Sequence, residues 1–192
     1  MKNDNDYISA ITSEPVRIMG INLRPLSIGS YLLMKKYEVA FVSDTPAETT
    51  INDLVMGIAI CARTFDGFME FINGPDCMKW VEKWGKAVNK ELKRKPNYFV
   101  EKQDMFVDYL TNGMRIPKYW LVVEKDGPSN SGKFIEHMIT TLQGRLGYTR
   151  EEVLNVPFTQ AIYDYFLFLE QNGIIQLMSD EELVQAEANS NG

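Results

Sequence analysis

The residues from Gly127 to Lys133 have the spacing with the most direct chemical meaning, because they match the pattern G-x-x-x-x-G-K of phosphate-binding loops. In such loops, successive backbone N–H groups and the lysine surround the phosphates of a nucleotide. Two residues count against this function: Phe134 stands where a serine or threonine would hold magnesium, and Pro128 lacks an amide hydrogen. The chain also lacks the alternating strands and helices of that fold. A surface loop is therefore the favoured interpretation, with nucleotide binding as an alternative.

A second charged pattern is a basic face on a helix predicted over residues 75–95. This segment has seven basic and three acidic residues and so carries +4, whereas the whole chain carries −6. At about 100° per residue, five lysines fall within one narrow arc: Lys79, Lys83, Lys86, Lys90 and Lys93. The opposite side is an apolar stripe: Cys77, Val81, Trp84, Val88 and Leu92. A solvated face or an acidic protein partner is favoured over nucleic acid or an anionic membrane, because the rest of the chain is acidic.

Two tryptophans, Trp80 and Trp84, lie one turn apart on the same predicted helix. Such a pair more often belongs to the core, but an exposed tryptophan would anchor a protein partner. The candidate partner-binding residues combine this pair with the basic face: Trp80, Trp84, Lys79, Lys83, Lys86 and Lys90.

Residues suited to catalysis or metal binding are few. His137 is the only histidine, and no serine elbow or cysteine pair accompanies it. The acidic pair Glu151 and Glu152 suits a helix N-terminus without further chemistry. One histidine and two separated cysteines, Cys61 and Cys77, disfavour a zinc site. We expect no enzyme activity, no cofactor and no metal, and we expect both cysteines to be buried thiols of a reducing compartment.

The elements that position these residues are mostly helices. Hydrophobic periodicity predicts a mainly α (α+β) fold, with one compact helical domain over 15–186 and flexible ends at 1–14 and 187–192. A small N-terminal β-hairpin over 16–26 turns near Gly20, and 118–124 and 174–177 are candidates for a second short β piece. Helices are predicted over 27–37, 51–65, 65–72, 75–95, 98–113, 133–143, 149–155 and 158–172, with a last helix capped by Ser179 and Glu182.

Apolar stripes on these helices give the expected core, and Gly113 is the expected C-terminal cap of its helix. In four of the helices the residues expected to face inward are Tyr31, Leu32 and Leu33; Tyr98, Met105 and Tyr109 with Phe99, Phe106 and Leu110; Phe134, Ile135, Met138, Ile139 and Leu142; and Phe158, Ala161, Ile162, Tyr165, Phe168 and Leu169.

Three segments together show a family resemblance. Residues 17–37 contain Gly-Ile-Asn-Leu-Arg-Pro-Leu-Ser-Ile-Gly from Gly20 to Gly29, residues 60–65 read Ile-Cys-Ala-Arg-Thr-Phe, and residues 158–177 contain Tyr-Asp-Tyr followed by Glu170, Asn172 and Gly173. They resemble small bacteriophage proteins encoded among tail genes, of the tail assembly chaperone type, in which a G-x-x-L-R-P-L-[ST]-x-G opening precedes a helical domain.

The resemblance implies a non-enzymatic protein in the cytoplasm of the bacterial host. Such chaperones bind the long tape-measure protein until tail-tube subunits assemble around it, and the finished particle does not contain them. The alternative is a structural component kept in the virion, such as a connector or tail-completion protein. The expected partner is another phage protein, and a homo-oligomer stays open. Residues 1–10 contain no apolar run and the chain has no stretch of about 18 apolar residues, so neither a signal peptide nor a membrane span is expected.

Overall fold

A computed structural model describes residues 16–45, 47–122, 134–179 and 182. The fold is mainly α with two small antiparallel sheets, which confirms the predicted fold class. The described α-helices are α1 Ile28–Lys36, α2 Ile51–Cys61, α3 Phe65–Asn73, α4 Asp76–Arg94, α5 Tyr98–Gly113, α6 Phe134–Gly144, α7 Arg150–Asn155 and α8 Phe158–Gln171. The described strands are β1 Arg17–Ile18, β2 Ile21–Asn22, β3 Tyr119–Leu121 and β4 Ile175–Leu177.

The described residues divide into two compact units, 16–114 and 115–182. The first unit contains the elements from β1 to α5, and the second contains those from β3 to β4. The sequence predicted one domain over 15–186. That prediction concerns folding as a single unit, which a division by contacts does not test.

The N-terminal hairpin is confirmed, with its turn at Gly20. Met19 and Gly20 have φ angles of 53° and 80°, and two consecutive positive φ angles are what a two-residue hairpin turn requires. The register places Ile18 opposite Ile21, and Ile18 is completely buried. The hairpin therefore contributes directly to the core of the first unit.

Helix α1 begins where the sequence predicted but faces the core with other residues. Ser27 caps it, because its hydroxyl accepts a hydrogen bond from the backbone N–H of Ser30 at 3.1 Å. Leu33 is buried as expected, whereas Tyr31 and Leu32 are only half-buried, which corrects their prediction. The reason is Ser30, which is itself buried and satisfies its hydroxyl by a 3.0 Å hydrogen bond to the hydroxyl of Ser27.

Helix α2 is the central helix of the first unit and packs against α1, α3, α4 and α5. Its start is a capping box, in which the Thr50 hydroxyl accepts from the Asp53 backbone N–H and the Asp53 carboxylate accepts from the Thr50 backbone N–H. Leu54, Ile58 and Ile60 are almost completely buried. A two-sided core helix of this kind explains the wide apolar face seen in the sequence.

Helices α4 and α5 meet around Pro96, as predicted, but two details of α5 differ. Phe106, Tyr109 and Leu110 are buried as expected, whereas Met105, also expected to face inward, is 36% exposed, which corrects its prediction. Helix α5 ends at Gly113, and Met114 takes the C-cap position instead. Glycine suits position 113 because a Cβ atom there would lie 2.7 Å from Cβ of Leu26.

In the second unit, β3 and β4 form an antiparallel pair in which Trp120 lies opposite Gln176. This confirms the expected second β piece.

Helix α7 begins with the predicted capping box of Thr149 and Glu152. The hydroxyl of Ser179 accepts from the backbone N–H of Glu182, as predicted for a helix start at that position.

The face of α8 that is buried differs from the face that the sequence predicted. Phe158, Ala161 and Ile162 are buried as expected. Tyr165, Phe168 and Leu169 are only half-buried, and Tyr163 and Phe166 are buried in their place.

The ring of Phe166 is contacted from two elements, by Tyr119 of β3 at 5.0 Å and by Phe134 of α6 at 6.3 Å between centroids. Packing from two sides moves the buried face around the helix. Phe134, expected to be buried, remains 40% exposed.

Candidate partner-binding surface

The first unit carries an arginine stacked on aromatic rings where α2, α3 and α4 meet. Arg63 follows the end of α2, and its guanidinium carbon lies 3.8 Å from the ring centroid of Phe71 in α3 and 5.5 Å from that of Trp80 in α4. Its Nη1 donates a hydrogen bond to the carbonyl oxygen of Ala59 at 2.8 Å. This bond fixes the guanidinium in place, so that its charge lies over the ring faces where the attraction is strongest.

The aromatic rings continue along α4. Phe71 meets Trp80 edge-on at 5.6 Å between centroids, and Trp80 meets Trp84 at 5.8 Å with the rings tilted by 47°. At the inner end, Phe71 lies 6.1 Å from Phe68, which is completely buried. Phe71, Trp80 and Trp84 are each half-buried. We call Arg63, Phe71, Trp80 and Trp84 the Trp80 ladder.

The Trp80 ladder joins a rigid interior to an accessible surface. Its inner ring packs on Phe68, so the rings are held in place by the core. Its outer rings expose part of their area, and large rings with few rotatable bonds lose little entropy on binding. Trp and Arg are also the residue types most enriched among binding hot spots. The arrangement therefore suits the capture of an apolar side chain from another protein.

Four predicted lysines, Lys79, Lys83, Lys86 and Lys90, are all exposed on α4, and we call them the basic row. Lys79 pairs with Asp76 at 3.3 Å and Lys86 with Glu82 at 3.8 Å. These are exposed pairs within one helix, which contribute little to stability because water screens them. The basic row is thus available to attract an acidic partner toward the Trp80 ladder.

Arg63 adds a permanent positive charge beside the rings. Partial burial lowers the pKa of its guanidinium below the ordinary value, while the nearby Cys77 opposes the shift. An arginine pKa starts so high that the side chain stays protonated in proteins. The surface therefore keeps its charge across the physiological pH range.

The buried thiols do not resemble nucleophiles. Cys61 and Cys77 are both free and buried, as predicted. Burial raises the pKa of the Cys61 thiol to about 12, although a hydrogen bond with Tyr109 partly opposes this rise. Tyr109 in turn donates to the carbonyl oxygen of Arg24 at 2.8 Å. At neutral pH Cys61 is accordingly a neutral core residue.

Other candidates from the sequence are not brought into this surface. The motif from Gly127 to Lys133 lies outside the described residues, and His137 is exposed on α6. Across the parts of the chain that the structure describes, no three or more His, Cys, Asp or Glu side chains are grouped to hold a metal ion. No helix within those parts combines the length and apolar character needed to cross a membrane.

A shallow cleft of about 500 Å³ lies in the second unit and is lined by Leu146, Gly147, Tyr148, Glu152, Asn155 and Val156. Its acidic group, the carboxylate of Glu152, already accepts hydrogen bonds from the backbone and hydroxyl of Thr149 at 2.8 Å. The hydroxyl of Tyr148 donates to Asp164 at 2.5 Å. These polar groups serve the local structure, so the cleft offers less to a ligand than the Trp80 ladder does.

Two features of the structure, one in each unit, were not predicted from the sequence. Arg63 was assigned no role, since its contact with Phe71 and Trp80 depends on the packing of separate helices. In the second unit, Trp120, Leu121 and Val122 are 49%, 73% and 57% exposed around β3. An uninterrupted apolar run normally indicates a strand that is buried on both faces, so this run carried no signal for the exposure.

Comparisons with protein-family models, curated proteins and solved structures give no match.

Proposed function

We propose that the chain is a non-enzymatic tail assembly chaperone of a bacteriophage, and that it holds the tape-measure protein through the Trp80 ladder and the basic row. The observation that carries this proposal is the half-buried pair Trp80 and Trp84, which packs against Phe71 and Arg63 on a helix that also carries four exposed lysines. This combination suits the binding of a protein, since it offers apolar contact area and charge without a catalytic group.

The chemistry of the expected partner fits this surface. A tape-measure protein is a long, largely helical chain with apolar stripes, which need cover until the tail tube forms around them. Trp80 and Trp84 lie one turn apart, so they present contact area along the direction of α4. A helix laid along α4 would place apolar residues one turn apart against these rings. Acidic residues beside that stripe would then meet the basic row.

The segments that resemble the phage family support the proposal from a separate direction. Two of them lie in the first unit, where the motif from Gly20 to Gly29 joins the hairpin to α1, and Arg63 belongs to the segment 60–65. The last covers α8 and β4 in the second unit. The proposed chaperone would act in the host cytoplasm during assembly and would leave before the particle is complete.

The test is a tagged pull-down from the native host during particle production, combined with mass spectrometry of the purified particles. Capture of a very long helical protein, with this chain missing from the particles, is the expected result. Presence of this chain in the particles at a fixed copy number would contradict the chaperone function. It would instead indicate a structural component, such as a connector or tail-completion protein. Capture of no phage protein and absence from particles would overturn both functions.

A further inference from the structure

Helix α5 carries an acidic row on the side turned away from the core. Glu101, Asp104 and Asp108 are exposed, whereas Phe106 and Tyr109 are buried on the other side of the helix. Within the described parts of the chain, no basic group lies within ion-pair distance of these three carboxylates. We call Glu101, Asp104 and Asp108 the acidic row.

The acidic row matches the spacing of the basic row on α4. Lys79, Lys83 and Lys86 are separated by four and then three residues. Read in the opposite direction, Asp108, Asp104 and Glu101 are also separated by four and then three. At a rise of about 1.5 Å per residue, each row spans roughly 10 Å. Two antiparallel helices would therefore bring all three pairs together at once.

Exposed apolar side chains accompany both rows. Val100 and Val107, seven residues apart on α5, are 54% and 43% exposed, and Met78 of α4 is 68% exposed. The register that places Lys79 opposite Asp108 also brings Met78 to the end of α5 where Val107 lies. The charge pattern and the positions of these exposed apolar side chains thus favour the same register.

We propose that two copies of this chain associate through these faces, the basic row of one copy pairing with the acidic row of the other. Both rows are exposed in a single chain, so the pairing requires a second molecule. An acidic protein or a nucleic acid would use only the basic row and would leave the acidic row unexplained. A second copy uses both rows. The proposed function uses the same basic row, so a captured partner and a second copy would compete for it, and the purified chain alone tests the pairing of two copies.

The proposed interface consists mainly of exposed ion pairs and buries little apolar area, and these two properties determine how strongly the copies associate. Exposed ion pairs are individually weak, but a row of three in register acts as a set. The chain as a whole carries −6, so the copies repel each other except at the complementary rows. We therefore expect a weak, concentration-dependent association that is lost at high salt.

The experiment is a charge exchange followed by sedimentation velocity on the full chain. One variant combines Lys79→Glu, Lys83→Glu and Lys86→Glu, and the other combines Glu101→Lys, Asp104→Lys and Asp108→Lys. Each variant alone presents two rows of like charge and is expected to be monomeric. An equimolar mixture of the two is expected to associate again, because opposite charges then meet at both contacts.

Two controls separate this result from general charge effects and from misfolding. Reversal of exposed charges away from both helices, Arg145→Glu with Arg150→Glu, is expected to leave association unchanged. Far-UV circular dichroism and a thermal melt establish that each variant is folded. If a reversed variant does not fold, the neutral versions Lys83→Gln and Asp104→Asn are each expected to weaken association about threefold, which corresponds to about 0.65 kcal/mol.

Salt provides an independent measurement on the unmodified chain. Association is expected at about 0.01 M salt and its loss is expected near 1 M, where the Debye length has fallen to about 3 Å. A chain that is monomeric at low salt and high concentration would overturn the proposal. The same holds if the mixed variants stay monomeric, or if either reversed variant alone still associates like the unmodified chain.

Discussion

Gly57 of α2 and Phe106 of α5 pack so closely that a Cβ atom on Gly57 would lie 2.6 Å from Cζ of Phe106 and 2.8 Å from its Cε1. Phe106 is completely buried and contacts the rings of Phe41 and Tyr109 as well. It therefore has little room to move away. The close approach of α2 and α5 depends on the absence of a side chain at position 57.

We expect Gly57→Ala to lower the free energy of unfolding by about 1–3 kcal/mol, because overpacking a rigid core outweighs the helix propensity gained. Urea denaturation followed by circular dichroism measures this change. The matched control is Gly85→Ala in α4, where an added Cβ meets no atom within 4 Å. That variant should gain up to about 1 kcal/mol. Equal effects at the two glycines would contradict the packing argument.

Asp53 gives a prediction for acid pH. Partial burial acts to raise its pKa, but hydrogen bonds from Thr50 and from the backbone N–H of Ala40 outweigh that effect, and the pKa of the carboxyl lies below its ordinary value of 3.8. A lowered pKa in the folded state stabilises the fold above the unfolded pKa. That stabilisation is lost as the pH falls through the folded pKa.

We therefore expect Asp53→Asn to cost about 1 kcal/mol at neutral pH, and the difference from the unmodified chain to shrink as the pH falls below the ordinary aspartate pKa of 3.8. Denaturation curves at the two pH values measure both quantities. Asp66→Asn in the first turn of α3 is the matched control, since its carboxylate is exposed. A constant difference at both pH values would show that the charge of Asp53 is not responsible.

The fold was predictable where the signal is local. The capping boxes of Thr50 with Asp53 and Thr149 with Glu152 each lie within four residues, and both helices begin there. The turn at Gly20 is equally local, since a positive φ angle at that position depends mainly on the residue itself. In each case the neighbouring sequence contains the whole interaction.

The inward faces were less predictable because they depend on distant elements. Tyr165 and Phe166 are adjacent aromatic residues, and periodicity alone favoured Tyr165. The structure buries Phe166 because Tyr119 and Phe134 pack on its ring from β3 and α6. On α5 both Met105 and Phe106 were expected to face inward, and the structure buries only Phe106, whose ring packs against Gly57.

The candidate surface was predictable in part for the same reason. The spacing of Trp80 and Trp84 along one helix predicts that they are neighbours, and their rings are in contact. The contact of Arg63 with Phe71 and Trp80 depends on how α3 and α4 are placed after the end of α2. No regular spacing in the sequence encodes that placement.

The two cysteines should resist labelling in the folded protein. Cys61 and Cys77 are 1% and 7% exposed, and burial raises the pKa of Cys61 to about 12. At pH 8 only roughly one Cys61 in 10,000 would then be a thiolate. We expect Cys77→Ser, which leaves Cys61, to react with a thiol reagent only through opening of the fold. Full reaction in denaturant is the control, and fast labelling under native conditions would contradict the buried position.

Substitution of Trp80 distinguishes a specific binding surface from non-specific hydrophobic association. Trp80→Ala removes the ring that joins Phe71 to Trp84, and we expect it to weaken capture of the partner by about 2 kcal/mol or more, roughly 30-fold in Kd. Trp80→Phe keeps an aromatic ring and should retain part of the affinity. Titration of each purified variant against the captured partner measures these differences.

The matched control is Trp120→Ala, which removes a tryptophan that is 49% exposed on β3 in the other unit. If the Trp80 ladder is the binding surface, this variant captures the partner as well as the unmodified chain does. A loss at Trp120 with none at Trp80 would move the binding surface to β3. Circular dichroism of all three variants is needed beside the titrations, because Trp80 is half-buried and its removal also costs stability.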